Sequence, residues 1–481
     1  MLRVRLVRAL SRAILLTTLV ALAGGALCGP GAAWASPVGG RFQIRHVYVI
    51  VLENESAATT FGPASPAPYL ATTLRSRGAF LPNYYGVGHS SLDNYIAMIS
   101  GQAPNAQTRA DCGVFAAFPA GSPGPDGQEP GTGCVYPADV PTVAAQLTGV
   151  DDTWRDYNEE MGANPAREAA TCGHPAIGSP DNTQAATATD MYATRHDPFV
   201  YFHSIIDDAS LCHSHVVNLN LLPRDLSSVS STRNYTFITP DLCNDGHDAP
   251  CANGQPGGLA PANSFLKTWV PRITATRAFR EDGLLMVLFD EASPSDASSC
   301  CGEIPGPGAA LPGGTGPGGG RTGAVLLSPC IAPGTVSQTP YNHYTMLGSV
   351  EKIFGLSYLG YAGLPHSTYF GRDIYKRPCG PAPPRIASGR AAISPIRSSD
   401  RFRATLGWRV STTGGTPLAY SELQERTHAT WRTIVRRTER TSYSFTGVDG
   451  RSYRFRIRAV NVAGQIGSWS VATVGSVASG S

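Results

Sequence analysis

The amino-acid sequence predicts an α/β domain with a mainly parallel central sheet, followed by a small all-β sandwich. Three patterns carry this reading. β-branched apolar runs recur along the first four-fifths of the chain, with helix-compatible stretches between them. The tail switches to strict alternation, so that Tyr453, Phe455, Ile457 and Ala459 share one face while Arg454, Arg456 and Arg458 share the other. A Pro-rich stretch from Pro378 to Pro395 separates the two patterns. The expected division is 1–35, a signal peptide; 36–380, the α/β domain; 381–394, a linker; and 395–478, the sandwich.

At the start of the chain, Arg3, Arg5, Arg8 and Arg12 precede an apolar run from Ala13 to Leu27 that leads to Ala33-Trp34-Ala35. This is the pattern of a secretory signal peptide with a small-x-small cleavage site. The mature protein is therefore expected outside the cell or associated with the cell wall. No later segment approaches about 20 uninterrupted apolar residues, so no transmembrane segment is expected in the mature chain. Ten cysteines follow Cys28, an even number that suggests disulfides in an oxidising compartment. Cys243 and Cys251 are expected to pair across one loop. Adjacent Cys300 and Cys301 are expected to bond to separate partners.

The first strand is read from Ile44 to Leu52, whose continuous apolar character suits a strand buried on both faces. Further strands are expected at Tyr235 to Ile238, Leu284 to Phe289 and Ala324 to Leu327. Helices are expected around Tyr69 to Arg75, Val140 to Leu147, Ser264 to Arg277 and Tyr344 to Phe354. In parallel sheets ligands bind beyond the carboxyl ends of the strands. Here those ends carry Glu53-Asn54, then Asp241 with Asp245-Gly246-His247, then Asp290-Glu291. Single acids in such places often serve as helix caps; three acid-rich strand ends together point to one site. Gly302 to Gly323 reads as a surface loop bordering it.

Charge is distributed unevenly. Without the four signal-peptide arginines the formal charge falls from +3 to −1, which argues against a general nucleic-acid binder. From Arg385 onward 15 arginines face five acids, giving the tail +10 and the rest of the mature chain −11. Such a tail suits contact with an anionic cell envelope or lipid surface.

The segment from Gly88 to Gly101 begins polar and continues as an apolar helix. A serine at such a helix start faces unpaired backbone N–H groups that suit a phosphate or an oxyanion, although the same position also suits a simple N-cap. The ordered set Glu53-Asn54, His89-x-Ser91-x-x-Asn94-Tyr95, His196-x-Pro198-Phe199-x-Tyr201-Phe202, Asn244-Asp245-x-His247 and Asp290-Glu291 resembles the phosphoesterase family. That family unites bacterial acid phosphatases with phospholipases C and belongs to the alkaline phosphatase superfamily. The resemblance spans about residues 43 to 376. It implies a three-layer αβα sandwich and one divalent metal ion held by Glu53, Asn54, Ser91, Asp290 and Glu291. It further implies Ser91 as the nucleophile, passing through a phosphoserine. His89, Asn94, His196 and His247 would contact phosphate, with His196 or His247 as general acid. Hard cations prefer such oxygen ligands and lower the pKa of a bound hydroxyl.

Two departures from the family pattern stand out. Ser90 and Asp93 occupy positions where members often carry proline, which predicts a looser loop and makes Ser90 a rival nucleophile. Glu55-Ser56-Ala57 replaces the Arg-Ser-Phe-Asp continuation of the phospholipase C branch, which favours a phosphatase acting on phosphate monoesters, lipid or phosphoinositide headgroups included. A phospholipase C-type diesterase is the nearest alternative. An envelope-binding protein with a degenerate hydrolase domain is the alternative of another class. The tail resembles a fibronectin type III domain, an immunoglobulin-like sandwich, with Trp408 on an early strand and Tyr453 at the position of a tyrosine corner.

Overall fold

A computed structural model describes residues 44–119, 123–377, 384–395, 400–411, 418–427, 430–461 and 466–474. The expected signal peptide lies outside the described residues. The first domain is organised around an eight-stranded sheet. Its spatial order is Val216–Asn218, Trp154–Asn158, Tyr235–Thr239, His46–Leu52, Gly283–Phe289, Ala324–Leu327, Ala79–Leu81 and Thr335–Val336. The first five strands run parallel, and Ala324–Leu327 pairs antiparallel with both of its neighbours.

All seven residues of His46–Leu52 are buried, and so are all seven of Gly283–Phe289. Alternating side chains of the first strand feed two different cores. Val47, Val49 and Val51 join a cluster with Leu92, Ile96, Ile99, Val143, Leu147 and Leu347. Tyr48, Ile50 and Leu52 join another with Leu70, Leu266, Val270 and Ile273. Helices therefore cover both faces, as continuous apolar strands require. The Leu259–Thr274 and Arg277–Asp282 helices together occupy the region expected to form one helix from Ser264 to Arg277. The short strands Trp154–Asn158, Val216–Asn218 and Ala79–Leu81 went unpredicted, because five residues or fewer leave little periodicity to read.

Four disulfides join described cysteines: Cys112–Cys134, Cys172–Cys212, Cys243–Cys251 and Cys300–Cys301. The Cys243–Cys251 pair is the one expected. Cys300 and Cys301 bond to each other, contrary to expectation. The chain turns sharply there, with Cys301 at φ 69°, and this brings adjacent sulfurs together.

The C-terminal region forms two antiparallel sheets. Three strands, Arg385–Pro395, Arg401–Ser411 and Ser442–Val448, make one; Thr430–Thr438, Leu418–Thr427, Tyr453–Asn461 and Ser470–Val474 make the other. Arg385–Pro395 begins inside the stretch expected as a linker: it is a sheet-edge strand and Pro395 is its last residue, a position where proline's missing N–H removes little. Phe402, Leu406, Trp408, Leu423, Phe455 and Ile457 form the core. The Tyr453 hydroxyl accepts the Val448 N–H at 3.0 Å, five residues upstream.

Candidate active site

Five segments meet where the central parallel strands end. Asp290 N–H donates to Leu52 O at 2.9 Å, and Glu53 N–H donates to Asp245 O at 2.9 Å. These backbone bonds lock the three acid-rich strand ends side by side. Asn54 follows in the left-handed region at φ 58°, and its N–H donates to Asp290 Oδ1 at 3.0 Å. Glu291 N–H donates to the same oxygen at 2.6 Å.

Ser91 is the first residue of the Ser91–Ser100 helix, and Ser90 before it is extended, at φ −166°. The Ser91 Oγ donates to Glu53 Oε2 at 2.8 Å. Ser90 Oγ instead lies 2.6 Å from His89 O and 2.7 Å from Arg109 O, so its hydroxyl is tied to loop carbonyls. The loop expected to be loose is fixed by Asn94. Its Oδ1 accepts from Val87 and Gly88 N–H, and its Nδ2 reaches Gly88 O, Ser90 O and Glu291 Oε2. Asn94 thus spends its hydrogen-bonding capacity shaping the serine loop. A Cβ at Gly88 would stand 2.5 Å from Asp93 Oδ2, so a larger residue there would have to displace that buried carboxyl.

His196 is 1% exposed and sits between two acids, with Nε2 3.5 Å from Glu53 Oε1 and Nδ1 3.3 Å from Asp245 Oδ2. Its ring stacks on Tyr95 at 5.2 Å between centroids. Burial, reinforced by Arg195 and His247, holds His196 well below the usual histidine range, which keeps it a neutral imidazole. Burial, with repulsion from Asp290 and Asp245, raises Glu53 well above the carboxylate range. Asp290 is pushed up to about 7 by burial, and Asp245 is raised well above its usual value by the same cause.

These groups retain unused polar atoms. Glu53 Oε1, Asp245 Oδ2, Asp290 Oδ2 and both ring nitrogens of His196 are buried without a hydrogen-bond partner. Buried polar groups are ordinarily satisfied, and a cluster of such acids is costly unless a cation joins it. Glu53, His196 and Asp245 place one ligand atom each within 4.8 Å of one another. The donor set, two carboxylates and one neutral imidazole with Asp290 adjoining, fits a divalent cation.

The structure brings Glu53, Ser91 and Asp290 together, and His196 and Asp245 join the cluster. Glu291 turns aside, with Oε2 3.3 Å from Asn94 Nδ2 and 3.9 Å from His89 Nδ1. His89 Nε2 lies 3.0 Å from Asp296 O. His247 is more open: its side chain is 30% exposed, Nδ1 lies 2.8 Å from Asp248 Oδ1, and Nε2 lies 3.4 Å from Arg195 Nη2. His343 bonds Tyr84 Oη and Asp290 O, a buried structural histidine whose pKa burial lowers to about 4. Asp245 was legible only as part of an acid-rich strand end, and Arg195 was not picked out at all. Arg195 directly precedes the His196 motif, and that adjacency was its only signal.

Residues 65–357 match the phosphoesterase family, a span that contains Ser91, His196, Asp245, His247, Asp290 and Glu291, while Glu53 and Asn54 precede it. The chain belongs to the phosphoesterase family. Among individual proteins, it is similar to an acid phosphatase of Aspergillus fumigatus, 23% identical over 290 residues, covering 60% of this chain and 51% of that protein. A phosphatidylinositol-3-phosphatase of Mycobacterium tuberculosis is 26% identical over 317 residues, 66% of this chain and 79% of its own length. A phosphate-repressible acid phosphatase of Penicillium chrysogenum is 24% identical over 314 residues, covering 65% and 59%. The chain thus spans between half and three-fifths of the two fungal relatives. A solved human fibronectin type III domain is 18% identical over 21% of this chain and 92% of its own, with a TM-score of 0.16. Among the described residues no helix is long and apolar enough to cross a membrane.

Proposed function

We propose that this protein is a secreted, metal-assisted phosphatase that hydrolyses phosphate monoesters through Ser91, within an alkaline-phosphatase-like domain. The observation that carries the reading is the 2.8 Å bond from Ser91 Oγ to Glu53 Oε2 beside buried acid oxygens and an imidazole without partners. Glu53, His196, Asp245 and Asp290 would hold a divalent cation, with Asn54 and Glu291 close by. Such a cation supplies positive charge that offsets the acids and favours the ionised serine.

The protein's own groups perform the rest. Glu53 Oε2 orients the serine hydroxyl and takes its proton as Oγ attacks phosphorus. The bond from phosphorus to the leaving oxygen breaks, and His247, the more open of the two histidines, returns a proton to that oxygen. Water then cleaves the phosphoserine and releases inorganic phosphate. Asn94 holds the serine loop against the Asp290-Glu291 turn. The test is hydrolysis of an aryl phosphate with and without chelator, in wild type, Ser91→Ala and Asp290→Ala. Loss of at least ~10³-fold in both variants is expected; a wild-type rate that survives Ser91→Ala would remove serine from the mechanism.

The C-terminal sandwich is read as a fibronectin type III-like module that contacts anionic cell-envelope or lipid surfaces. Arg456 packs over Trp431 and Trp469, and Arg458 over Trp469, within 4.4 to 4.6 Å, so guanidinium groups are held along one sheet face. The full chain should be retained on anionic vesicles at low salt and released as salt rises. Replacing Arg454, Arg456 and Arg458 together by Gln should lower the releasing salt; unchanged retention would make the module a spacer.

A further inference from the structure

We infer that Arg195 is the second anchor of the phosphoryl group and the residue that restricts the site to phosphate monoesters, an inference that rests on the proposed reading. Arg195 is 4% exposed, and among the described residues no carboxylate oxygen lies within 4.0 Å of its guanidinium. Its Nη1 donates to Gln184 O at 2.9 Å, and its Nη2 stands 3.4 Å from His247 Nε2. Two other arginines with largely buried side chains differ. Arg155 pairs with Asp225, and Arg167 pairs with Asp190 at 3.0 Å. A buried guanidinium is costly without an anion, and its planar fork matches two oxygens of one phosphate.

A short chain of contacts links this cation to the nucleophile. The His247 ring lies 6.0 Å from the His196 ring, His196 Nε2 lies 3.5 Å from Glu53 Oε1, and Glu53 Oε2 holds Ser91 Oγ. The acid near Arg195 that reaches the helix start is Asp111, which stands at φ 48°. It uses Oδ1 to accept the Leu92 N–H at 3.0 Å. Burial raises Asp111, while the Leu92 N–H, Arg195 and His247 favour its ionised form. Asp111 is thus engaged at the helix, and the guanidinium contacts of Arg195, Gln184 O and His247 Nε2, are both neutral groups that leave its charge for an incoming anion.

A monoester dianion presents three non-bridging oxygens to the site. The serine and cation side takes part of that charge, and the buried guanidinium beside His247 takes the remainder. A diester carries one charge fewer and replaces one of those oxygens with an esterified one, so it has less to offer Arg195. The guanidinium should therefore contribute to monoester turnover and little to diester turnover.

The experiment compares the full-length wild type with Arg195→Gln and Arg195→Lys on an aryl phosphate and on the corresponding methyl aryl phosphate diester. Arg195→Gln is expected to lower kcat/KM for the monoester by ~10²- to 10³-fold and to change the diester by less than about threefold. Arg195→Lys should recover part of the monoester loss. Equal losses on both substrates, or no loss on either, overturn the inference. Calorimetric titration with inorganic phosphate, on the Ser91→Ala background with and without Arg195→Gln, keeps the question open to measurement if hydrolysis fails. At least a tenfold weaker phosphate affinity supports the anchor, and unchanged affinity overturns it. Retained turnover in Ser91→Ala would sink the serine mechanism without bearing on that titration.

Discussion

Two regions of the same α/β domain bury ionisable side chains in opposite ways. On the Trp154–Asn158 strand, Arg155 is 8% exposed and pairs with Asp225, 4% exposed, which also accepts the Tyr157 hydroxyl at 2.7 Å. Burial alone would raise Asp225, yet the Tyr157 hydroxyl and the Arg155 guanidinium hold it below the usual carboxylate value. At the ends of the neighbouring strands, Glu53, Asp245 and Asp290 are equally buried and all raised, with oxygens left over. Folding can supply a charged partner for a buried carboxylate, as it does for Asp225. Its failure to do so around Ser91 is best understood as room kept for groups that arrive later, a cation and a phosphate.

The comparison breaks most visibly if the complete pair proves dispensable. Asp225→Asn removes one partner and leaves the Arg155 guanidinium buried, which should cost about 3–5 kcal/mol in chemical denaturation. The sign of the pH dependence follows from the lowered value of Asp225. Its contribution is fully present above the unfolded carboxylate value near ~4 and is lost as pH falls through the lower folded value. The gap between wild type and Asp225→Asn should therefore be constant around neutrality and narrow only in strong acid. A gap that vanished by pH 6 would contradict the assignment.

The incomplete cluster makes the reverse prediction. A divalent cation at about 100 times its Kd should stabilise the folded protein by ~2.7 kcal/mol, and chelator should remove that gain. Asp245→Asn should abolish most of the cation-dependent rise in melting temperature while Asp225→Asn leaves it intact. Equal cation responses in both variants would show that the ion binds elsewhere. This measurement needs no substrate, so it separates metal binding from turnover.

How much of this was legible in the sequence depended on whether a signal was local. Largely apolar runs marked the four main strands, because burial on both faces admits few polar residues, Thr236 being one. The acids at strand ends were legible for a related reason, since a parallel sheet gathers those ends. Ser91 was separable from a simple cap by its motif, whereas Ser90 could be set aside only once its carbonyl partners were seen. What stayed hidden was pairing across long separations. His196 lies between Glu53 and Asp245, from segments far apart in the chain, and no spacing encodes that. Arg195 was invisible for the same reason: a missing carboxylate partner is a property of the folded surroundings. Cys300–Cys301 was misread because adjacency was taken as an obstacle, whereas a left-handed residue turns the chain enough.

The smallest effect tests whether an unsatisfied buried acid always signals chemistry. Glu351, on the His343–Phe354 helix, is fully buried. Its Oε1 accepts the Leu359 N–H at 2.9 Å, while Oε2 has no partner. Burial pushes its pKa up to about 8. A carboxyl whose folded value is raised binds a proton more tightly in the folded state, so stability declines as pH rises from the unfolded value near ~4 toward 8. Glu351→Gln keeps the acceptor for Leu359 and removes the ionisable proton. It should flatten that decline and leave the protein about 1 kcal/mol or more above wild type at pH 8, with aryl phosphate turnover unchanged. If Glu351→Gln instead lowered turnover with stability intact, buried acids well away from Ser91 would share in the chemistry, and the line drawn between structural pairs and the open cluster would need to move.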